Sequence, residues 1–153
     1  VTVDRIAGKK ITVVPILRAG IGMLDGFLNL IPSAKVSVLG LERDEETLEP
    51  KEYYSKLPPV ITDSVVLLVD PMLATGSSLM LVYDALIRRA GQPAHTHFAA
   101  AFASEPGVDY VLKHTSRQNC TLWCAAVDEE LTSKSYIVPG IGDAGDLAYG
   151  EKL

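Results

Sequence analysis

The residues best suited to chemistry follow a short apolar run near the middle of the chain. Residues 65–69 are all aliphatic and lead to Asp70, after which the sequence reads Pro-Met-Leu-Ala-Thr-Gly-Ser-Ser. Ligands of open α/β sheets bind where parallel strands end, so Asp70 is expected beside a ligand site. The loop of small and hydroxylated residues leads into an amphipathic stretch. Unpaired amides at a helix N-terminus, together with such hydroxyls, suit a phosphate monoester.

The same pattern also has a purely structural interpretation. A strand that ends in Asp, followed by a Ser that caps the next helix, is common in α/β proteins. The loop has no lysine of the kind found in a Walker-type nucleotide loop. Taken alone, the segment favours a phosphate site and an ordinary turn about equally.

The elements that must position this loop are short apolar runs that alternate with helix-like stretches. Strands are predicted over residues 12–17, 34–41, 65–69, 96–102 and 121–127. Helical spacing of apolar residues predicts helices over residues 22–30, 79–90 and 107–114. Near-continuous apolar strands are typical of a parallel sheet buried on both faces. The expected fold class is α/β, with a mostly parallel central sheet flanked by helices and right-handed crossovers.

Two stretches interrupt this alternation. Residues 42–52 are acidic and turn-prone, and residues 53–57 could form the return arm of a hairpin. Residues 136–150 contain four glycines and are expected to form one irregular tail. Loops this long in a compact domain are usually functional or disordered. With neither a linker nor an internal repeat, residues 1–153 are expected to form a single domain.

Composition excludes several classes of protein. Apolar residues make up 48% of the 153 residues and charged residues 22%, which argues against disorder. The formal net charge of −5 argues against a nucleic-acid partner. The apolar runs are far shorter than the ~20 residues of a membrane span, so no membrane association is expected. Two cysteines form no disulfide framework and favour a reducing, cytoplasmic location.

Four motifs stand in order along the chain. They are PILRAG at residues 15–20, RDEETLEP at 43–50, DPMLATGSS at 70–78 and YIVPGIGDAGD at 136–146. Together they resemble the motifs of the uracil phosphoribosyltransferases, which are type I phosphoribosyltransferases, over about residues 3–152. The resemblance implies a type I phosphoribosyltransferase-like fold with a hairpin that closes over the substrate as a lid. It also implies transfer of a phosphoribosyl group from phosphoribosyl pyrophosphate to uracil, giving uridine 5′-monophosphate and pyrophosphate.

The resemblance also implies roles for individual residues. The residues expected to bind phosphoribosyl pyrophosphate are Arg18, Arg43, Asp70, Pro71, Met72, Leu73, Ala74, Thr75, Gly76, Ser77, Ser78 and Asp143. Those expected to bind uracil are Ile137, Gly142, Asp143 and Ala144. Catalytic roles fall to Asp143, Arg18 and Arg43. Mg²⁺ is the expected cofactor, held by Asp143 directly or through water. A homo-oligomer and a GTP effector are further expectations of the family.

The chain departs from the family pattern in two informative places. Members carry an N-terminal segment ahead of the first motif, so this chain is expected to be an N-terminally truncated member. The family loop usually has a glycine where Ser77 stands. A Cβ there would narrow the phosphate cradle if the position required a positive φ.

Other interpretations of the sequence stay open. A regulatory module could bind phosphoribosyl pyrophosphate and uracil without turnover. A dinucleotide-binding dehydrogenase is suggested by Gly20 and Gly22, although Asp25 stands where the third glycine belongs. His95 and His97 lack a third ligand at a recognisable spacing, so a metal site there is not expected. The two cysteines, Cys120 and Cys124, are expected to be core thiols on a buried strand.

Overall fold

A computed structural model describes residues 10–43 and 50–151 of the chain. The strands in this part are β1 (Ile11–Leu17), β2 (Lys35–Val36), β3 (Val38–Arg43), β4 (Pro50–Lys56), β5 (Val65–Val69), β6 (Met72–Leu73), β7 (His95–Ser104), β8 (Cys120–Asp128), β9 (Glu130–Leu131) and β10 (Ile137–Val138). The helices are α1 (Ile21–Leu30), α2 (Ser77–Ala90), α3 (Glu105–His114) and α4 (Ala144–Tyr149).

The central sheet is mostly parallel, as the sequence predicts. Its strands follow the order β4-β3-β1-β5-β7, and β8 continues the sheet beyond β7. The short strands β2 and β6 pair in parallel with β1 and β7, while β4 runs antiparallel to β3. Strands β9 and β10 form a separate antiparallel pair. Because the central parallel strands end at one edge, the loops after β1 and β5 open on the same side.

Helices cover both faces of this sheet because alternate residues of each strand point to opposite sides. On one face, Val66 and Leu68 of β5 belong to a large buried cluster that includes α2 and α3. On the other face, Leu67 and Val69 pack with apolar residues of α1, among them Phe27. Full burial of such a side chain contributes roughly 1.5–3 kcal/mol, so the two clusters fix the strands that carry the loops.

Two predicted boundaries are corrected by the structure. The strand expected over residues 34–41 is divided into β2 and β3, which flank Ser37, whose N–H donates to the carbonyl of Val13 (3.0 Å). Helix α2 begins at Ser77 rather than Leu79, so the phosphate-type loop is shorter than the sequence suggests. In the part of the chain described, no helix has the length and apolarity that crossing a bilayer requires.

Strand β8 is not buried on both faces, in contrast to the expectation from its apolar sequence. Leu122 and Cys124 pack against the large cluster, and Cys120 is buried. Trp123 points to the opposite face, where it is 59% exposed and donates from Nε1 to His97 Nδ1 (3.1 Å). A strand at the edge of a sheet can have one face packed against the core and the other exposed to solvent. Apolar composition does not reveal which strand lies at the edge.

Strands β3 and β4 form the predicted hairpin, with a register shift between Gly40 and Leu41. Its tip, residues 44–49, lies outside the described residues, and so does the side chain of Arg43. Strand β4 of the hairpin is bound to α2, because Arg89 donates to Glu52 (2.8 Å) and to Ser55 (2.5 Å). The hydrogen-bonded Arg89 guanidinium holds the pKa of Glu52 below its ordinary value.

The glycine-rich tail is more regular than the sequence predicts. It contains strand β10 and the six-residue helix α4. Asp143 caps this helix, since its Oδ1 accepts a hydrogen bond from the N–H of Asp146 (2.9 Å). Gly150 ends the helix with a φ of 84°. A helix this short depends on its caps rather than on apolar spacing, so periodicity alone does not indicate it.

Candidate active site

The loop between β5 and α2 has the backbone of an anion-binding turn. Its last residue, Gly76, has a φ of 81°, in the left-handed region. A Cβ at Gly76 would meet Tyr110 Cδ1 at 3.0 Å and the carbonyl of Gly107 at 3.1 Å. Both conformation and space therefore require glycine here. Gly76 is also the N-cap of α2 and supplies no side-chain cap to the first turn. The first-turn amides are thus suited to an external anion.

Ser77 does not strain this loop. It is the first residue of α2, and among described non-glycine residues only Ser135 has a positive φ. The concern that a Cβ at this position narrows the cradle is therefore not borne out by the backbone. The Ser77 hydroxyl lies 2.7 Å from Thr75 Oγ1. The two hydroxyls brace each other at the start of the helix.

A buried serine supports the loop from behind. Ser104 is completely buried, and its hydroxyl donates to the carbonyl of Ala74 while accepting from the N–H of Gly107 (3.0 Å). A Cβ at Gly107 would meet the Ala74 carbonyl oxygen at 2.2 Å, so the loop packs directly on α3. Neither Ser104 nor Gly107 was predicted to support the loop. The sequence feature that could have indicated them is Ser-Glu-Pro-Gly directly after a predicted strand, which is typical of a capped helix start.

Asp70 lies at the end of β5, where the sequence places it, and faces the cleft. Burial raises the pKa of Asp70 from 3.8 to about 7, and the neighbouring charge of Asp143 acts in the same direction. The N–H of Met72 donates to Asp70 Oδ1 (3.3 Å) and partly opposes this rise. Near neutral pH, Asp70 can therefore both accept and donate hydrogen bonds.

Arg18 directly follows β1, and its peptide bond with Leu17 is cis. Its guanidinium donates to Asp146 Oδ1 (2.6 Å) and to the carbonyl of Gly150 (3.1 Å). The side chains of Arg18 and Asp146 are each 31% exposed. The cation is thus held against α4, and it lines the cleft.

These segments enclose a cleft of about 430 Å³. The predicted site residues that line it are Arg18, Asp70, Met72, Ala74, Ser78, Ile137, Gly142, Asp143 and Ala144. A small adjoining recess is lined by Leu73, Thr75 and Gly76 as well as by Asp70. Pro71 and Ser77 belong to the same loop but line neither space, and the Arg43 side chain is not described. Two predicted groups, the phosphate-type loop and the tail, therefore meet at one cleft.

Seven residues that were not predicted as site residues also line the cleft: Ile16, Leu17, Ala19, Tyr53, Ser135, Tyr136 and Gly145. Tyr53 comes from β4 of the hairpin, while Ser135 and Tyr136 precede β10. Ser135 has a φ of 62°, an uncommon conformation for a residue with a side chain. Both tyrosines are partly exposed, at 52% for Tyr53 and 40% for Tyr136. Nothing in the sequence around Tyr53 and Tyr136 distinguishes them from ordinary surface tyrosines.

Among the described residues that line the cleft, the acidic ones are Asp70 and Asp143. Asp143 both caps α4 and lines the cleft, so its capping role does not remove it from the candidate site. Within residues 10–43 and 50–151, no three His, Cys, Asp or Glu side chains converge as a metal site. The rings of His95 and His97 are tilted by 47° with their centroids 4.6 Å apart.

Comparisons with a family model and with named relatives indicate the same family. The model of the family described as uracil phosphoribosyltransferase matches residues 1–151. A uracil phosphoribosyltransferase of Acinetobacter baylyi is 54% identical over 98% of this chain and 69% of its own length. The enzyme of the same name from Lactococcus lactis subsp. lactis is 50% identical over 99% of this chain and 71% of its own length.

Solved structures agree in fold. The AQ2163 protein of Aquifex aeolicus is 38% identical and superposes with a TM-score of 0.87, covering 95% of this chain and 68% of that one. A purine phosphoribosyltransferase of Pyrococcus horikoshii gives a TM-score of 0.56 at 12% identity, over 81% of this chain and 80% of its own. That likeness extends the fold to the wider group of phosphoribosyltransferases. This chain belongs to the uracil phosphoribosyltransferase family.

Proposed function

We propose that this chain transfers a phosphoribosyl group from phosphoribosyl pyrophosphate to N1 of uracil, giving uridine 5′-monophosphate and pyrophosphate. The observation that carries the proposal is the meeting of three segments at one cleft of about 430 Å³. The phosphate-type loop lines one part of the cleft and the glycine-rich tail lines another. Arg18, which follows β1, contributes a cation. A substrate with a phosphate, a flat base and a pyrophosphate requires these three kinds of group.

The phosphate loop binds the 5′-phosphate. The first-turn amides of α2 and the hydroxyls of Thr75 and Ser78 supply donors around the left-handed Gly76. No lysine is needed, since a phosphate at a helix N-terminus is held by main-chain N–H groups and the helix dipole. Asp70, at the end of β5, then lies where the ribose hydroxyls follow, and it accepts their hydrogen bonds.

The tail binds the base. Ile137 is buried at the start of β10, and Gly142 lies in the left-handed region with a φ of 79°. Small residues allow main-chain groups to approach a flat heterocycle. Uracil is therefore recognised by backbone groups of Ile137, Gly142 and Ala144, which present fixed donors and acceptors.

The remaining charges stabilise the departing pyrophosphate. Arg18 and Arg43 bind its oxygens, while Asp143 lies on the side of the cleft that faces the reacting carbon. The bond from the anomeric carbon to pyrophosphate breaks as the bond to uracil N1 forms, and positive charge develops on the sugar. The proton of uracil N1 leaves to water or to the departing pyrophosphate. Preorganised charges that match this distribution lower the barrier without a dedicated proton shuttle.

The residues of this site are suited to hold Mg²⁺ when the ion is bound together with the substrate. Protein sites commonly hold Mg²⁺ through one or two carboxylates together with substrate phosphates. Asp70 and Asp143 lie close enough for the charge of Asp143 to raise the pKa of Asp70, which gives such a pair of carboxylates. Asp143 would hold the ion directly or through water. When bound, Mg²⁺ supplies charge neutralisation on the pyrophosphate.

Three further family properties stay predictions for this chain. They are assembly into a homo-oligomer, response to GTP as an effector, and a cytoplasmic location. The regulatory alternative, in which the site binds its ligands without turnover, gains no support from Ser77, which is an ordinary helical residue.

The experiment is a direct assay for the product. The chain is incubated with labelled uracil, phosphoribosyl pyrophosphate and Mg²⁺, and uridine 5′-monophosphate is measured. Asp143→Asn should lose most of the product, while Asp109→Asn, an exposed charge change on α3, should match the wild type. Binding of both substrates by calorimetry with no product would favour the regulatory module instead.

A further inference from the structure

The contacts of Arg18 connect it to Asp146, the last residue of the fourth motif, for which no role in the site was predicted. Arg18 reaches Asp146 Oδ1 at 2.6 Å and the carbonyl of Gly150 at 3.1 Å. Asp146 does not line the cleft, whereas Arg18 does. A role for Asp146 in the reaction must therefore act through Arg18.

The two contacts come from opposite ends of one short helix. Asp146 lies in the first turn of α4, and Gly150 directly follows its last residue. The N–H of Gly150 donates back to the carbonyl of Asp146 (2.9 Å), and the N–H of Asp146 donates to Asp143 Oδ1 (2.9 Å). Asp146 thus joins Arg18 and Asp143, two side chains of the proposed site, through its own carboxylate and its own amide.

We propose that Asp146 is a positioning residue that holds the Arg18 guanidinium in the orientation that binds the pyrophosphate group of the substrate. The inference rests on the proposed function. The guanidinium has five N–H donors in a rigid fork, so it can keep two contacts to α4 and still donate to phosphate oxygens.

The Asp146 carboxylate has two opposite effects on the affinity of Arg18 for an anion, one through charge and one through orientation. The Asp146 carboxylate reduces the positive potential that an incoming anion meets. The same carboxylate also fixes the rotamer of Arg18 before the anion binds. The arginine side chain then loses less conformational entropy on binding. Because both side chains are 31% exposed, solvent screens the charge effect, whereas the geometry of two hydrogen bonds is retained. Orientation is therefore expected to dominate.

The test compares Asp146→Asn, Asp146→Glu and Arg18→Ala with the double variant Arg18→Ala/Asp146→Asn. Two quantities are measured: the Kd of pyrophosphate with Mg²⁺ by calorimetry, and the separate KM values for phosphoribosyl pyrophosphate and uracil. Asp109→Asn is the matched control, since it removes one exposed carboxylate from α3. Circular dichroism melts verify that each variant is folded.

Asp146→Asn should weaken pyrophosphate binding and raise the KM for phosphoribosyl pyrophosphate about tenfold, with the KM for uracil within twofold. Asp146→Glu keeps the charge and should recover part of the loss. In the Arg18→Ala background, Asp146→Asn should have no further effect, because its partner is gone.

Three results would overturn the inference: unchanged pyrophosphate affinity in Asp146→Asn, tighter binding, or a loss that persists without Arg18. Tighter binding would mean that Asp146 competes with the substrate. A persistent loss, equal in the Asn and Glu variants, would assign Asp146 to the fold of α4 alone. A wild-type chain that binds pyrophosphate but forms no product would refute the proposed reaction, and the Asp146 inference is then decided by the pyrophosphate affinities.

Discussion

The hydroxyl of Ser104 donates a hydrogen bond to the backbone carbonyl of Ala74, which lies 30 residues earlier in the sequence. The same oxygen caps α3 by accepting from Gly107 N–H (3.0 Å). One buried side chain thus fixes the loop before α2 against the beginning of α3. The shape of the phosphate loop therefore depends on a residue that lines neither the cleft nor its adjoining recess.

Ser104→Ala is expected to destabilise the protein and to loosen this loop. Losing a helix cap costs about 0.5–2 kcal/mol, and leaving a buried carbonyl without its donor costs about 1–3 kcal/mol. Because the two effects share one atom, we expect a decrease in the free energy of unfolding of about 2 kcal/mol. The KM for phosphoribosyl pyrophosphate should rise more than that for uracil.

Urea unfolding and steady-state kinetics measure both effects. Ser33→Ala, at an exposed position outside the regular elements, is the matched control and should leave both unchanged. A Ser104→Ala protein of full stability and normal KM would show that the loop holds its shape without this contact.

Asp70 should make the stability of the protein depend on pH. Its pKa is raised from 3.8 to about 7 in the folded state, so the folded state binds more protons than the unfolded state between these values. The free energy of unfolding therefore falls as pH rises from about 4 to 7. Asp70→Asn should remove this slope and be more stable than the wild type at pH 8, by roughly 1–3 kcal/mol after allowance for solvent screening.

The same substitution should reduce turnover, because the ribose contact needs a carboxylate acceptor. Chemical denaturation of both proteins at pH 4.5, 6 and 8 measures the stability difference, with Asp109→Asn as the control. If Asp70→Asn is no more stable than the wild type at pH 8, the buried carboxylate carries no electrostatic cost.

The local parts of this site could be predicted from the sequence. Asp70, the glycine at position 76 and the helix after it are adjacent in the chain, so hydrophobic pattern and turn chemistry are enough to place them. Helix α4 could not be predicted in this way, because six residues are too few to show a helical period and the start of the helix depends on the Asp143 side chain. The contact of Arg18 with Asp146 joins residues 128 apart in sequence and depends on how the tail folds back.

Asp143→Asn is expected to reduce kcat by roughly 10²–10³-fold with a much smaller change in uracil affinity. Asparagine retains an oxygen that can accept from the N–H of Asp146, so the cap of α4 should survive. The loss would then come from the missing charge next to the reacting carbon. Kinetics with both substrates varied, together with a thermal melt, separate these effects. Full turnover in a folded Asp143→Asn protein would remove this residue from the catalytic assignment.

The base pocket is expected to prefer uracil strongly over cytosine. Backbone groups of Ile137, Gly142 and Ala144 have no rotamer freedom, so they cannot adapt when a donor and an acceptor exchange places. Cytosine replaces the O4 acceptor with an amino donor and the N3 donor with an acceptor, which mismatches two contacts. Each unpaired buried group costs ~1–3 kcal/mol, so kcat/KM should differ by very roughly 30-fold to 10⁴-fold. Competition between the two labelled bases measures the ratio, and 5-fluorouracil, which keeps both contacts, serves as the accepted control. A preference below a few-fold would mean that the tail does not bind the polar edge of the base.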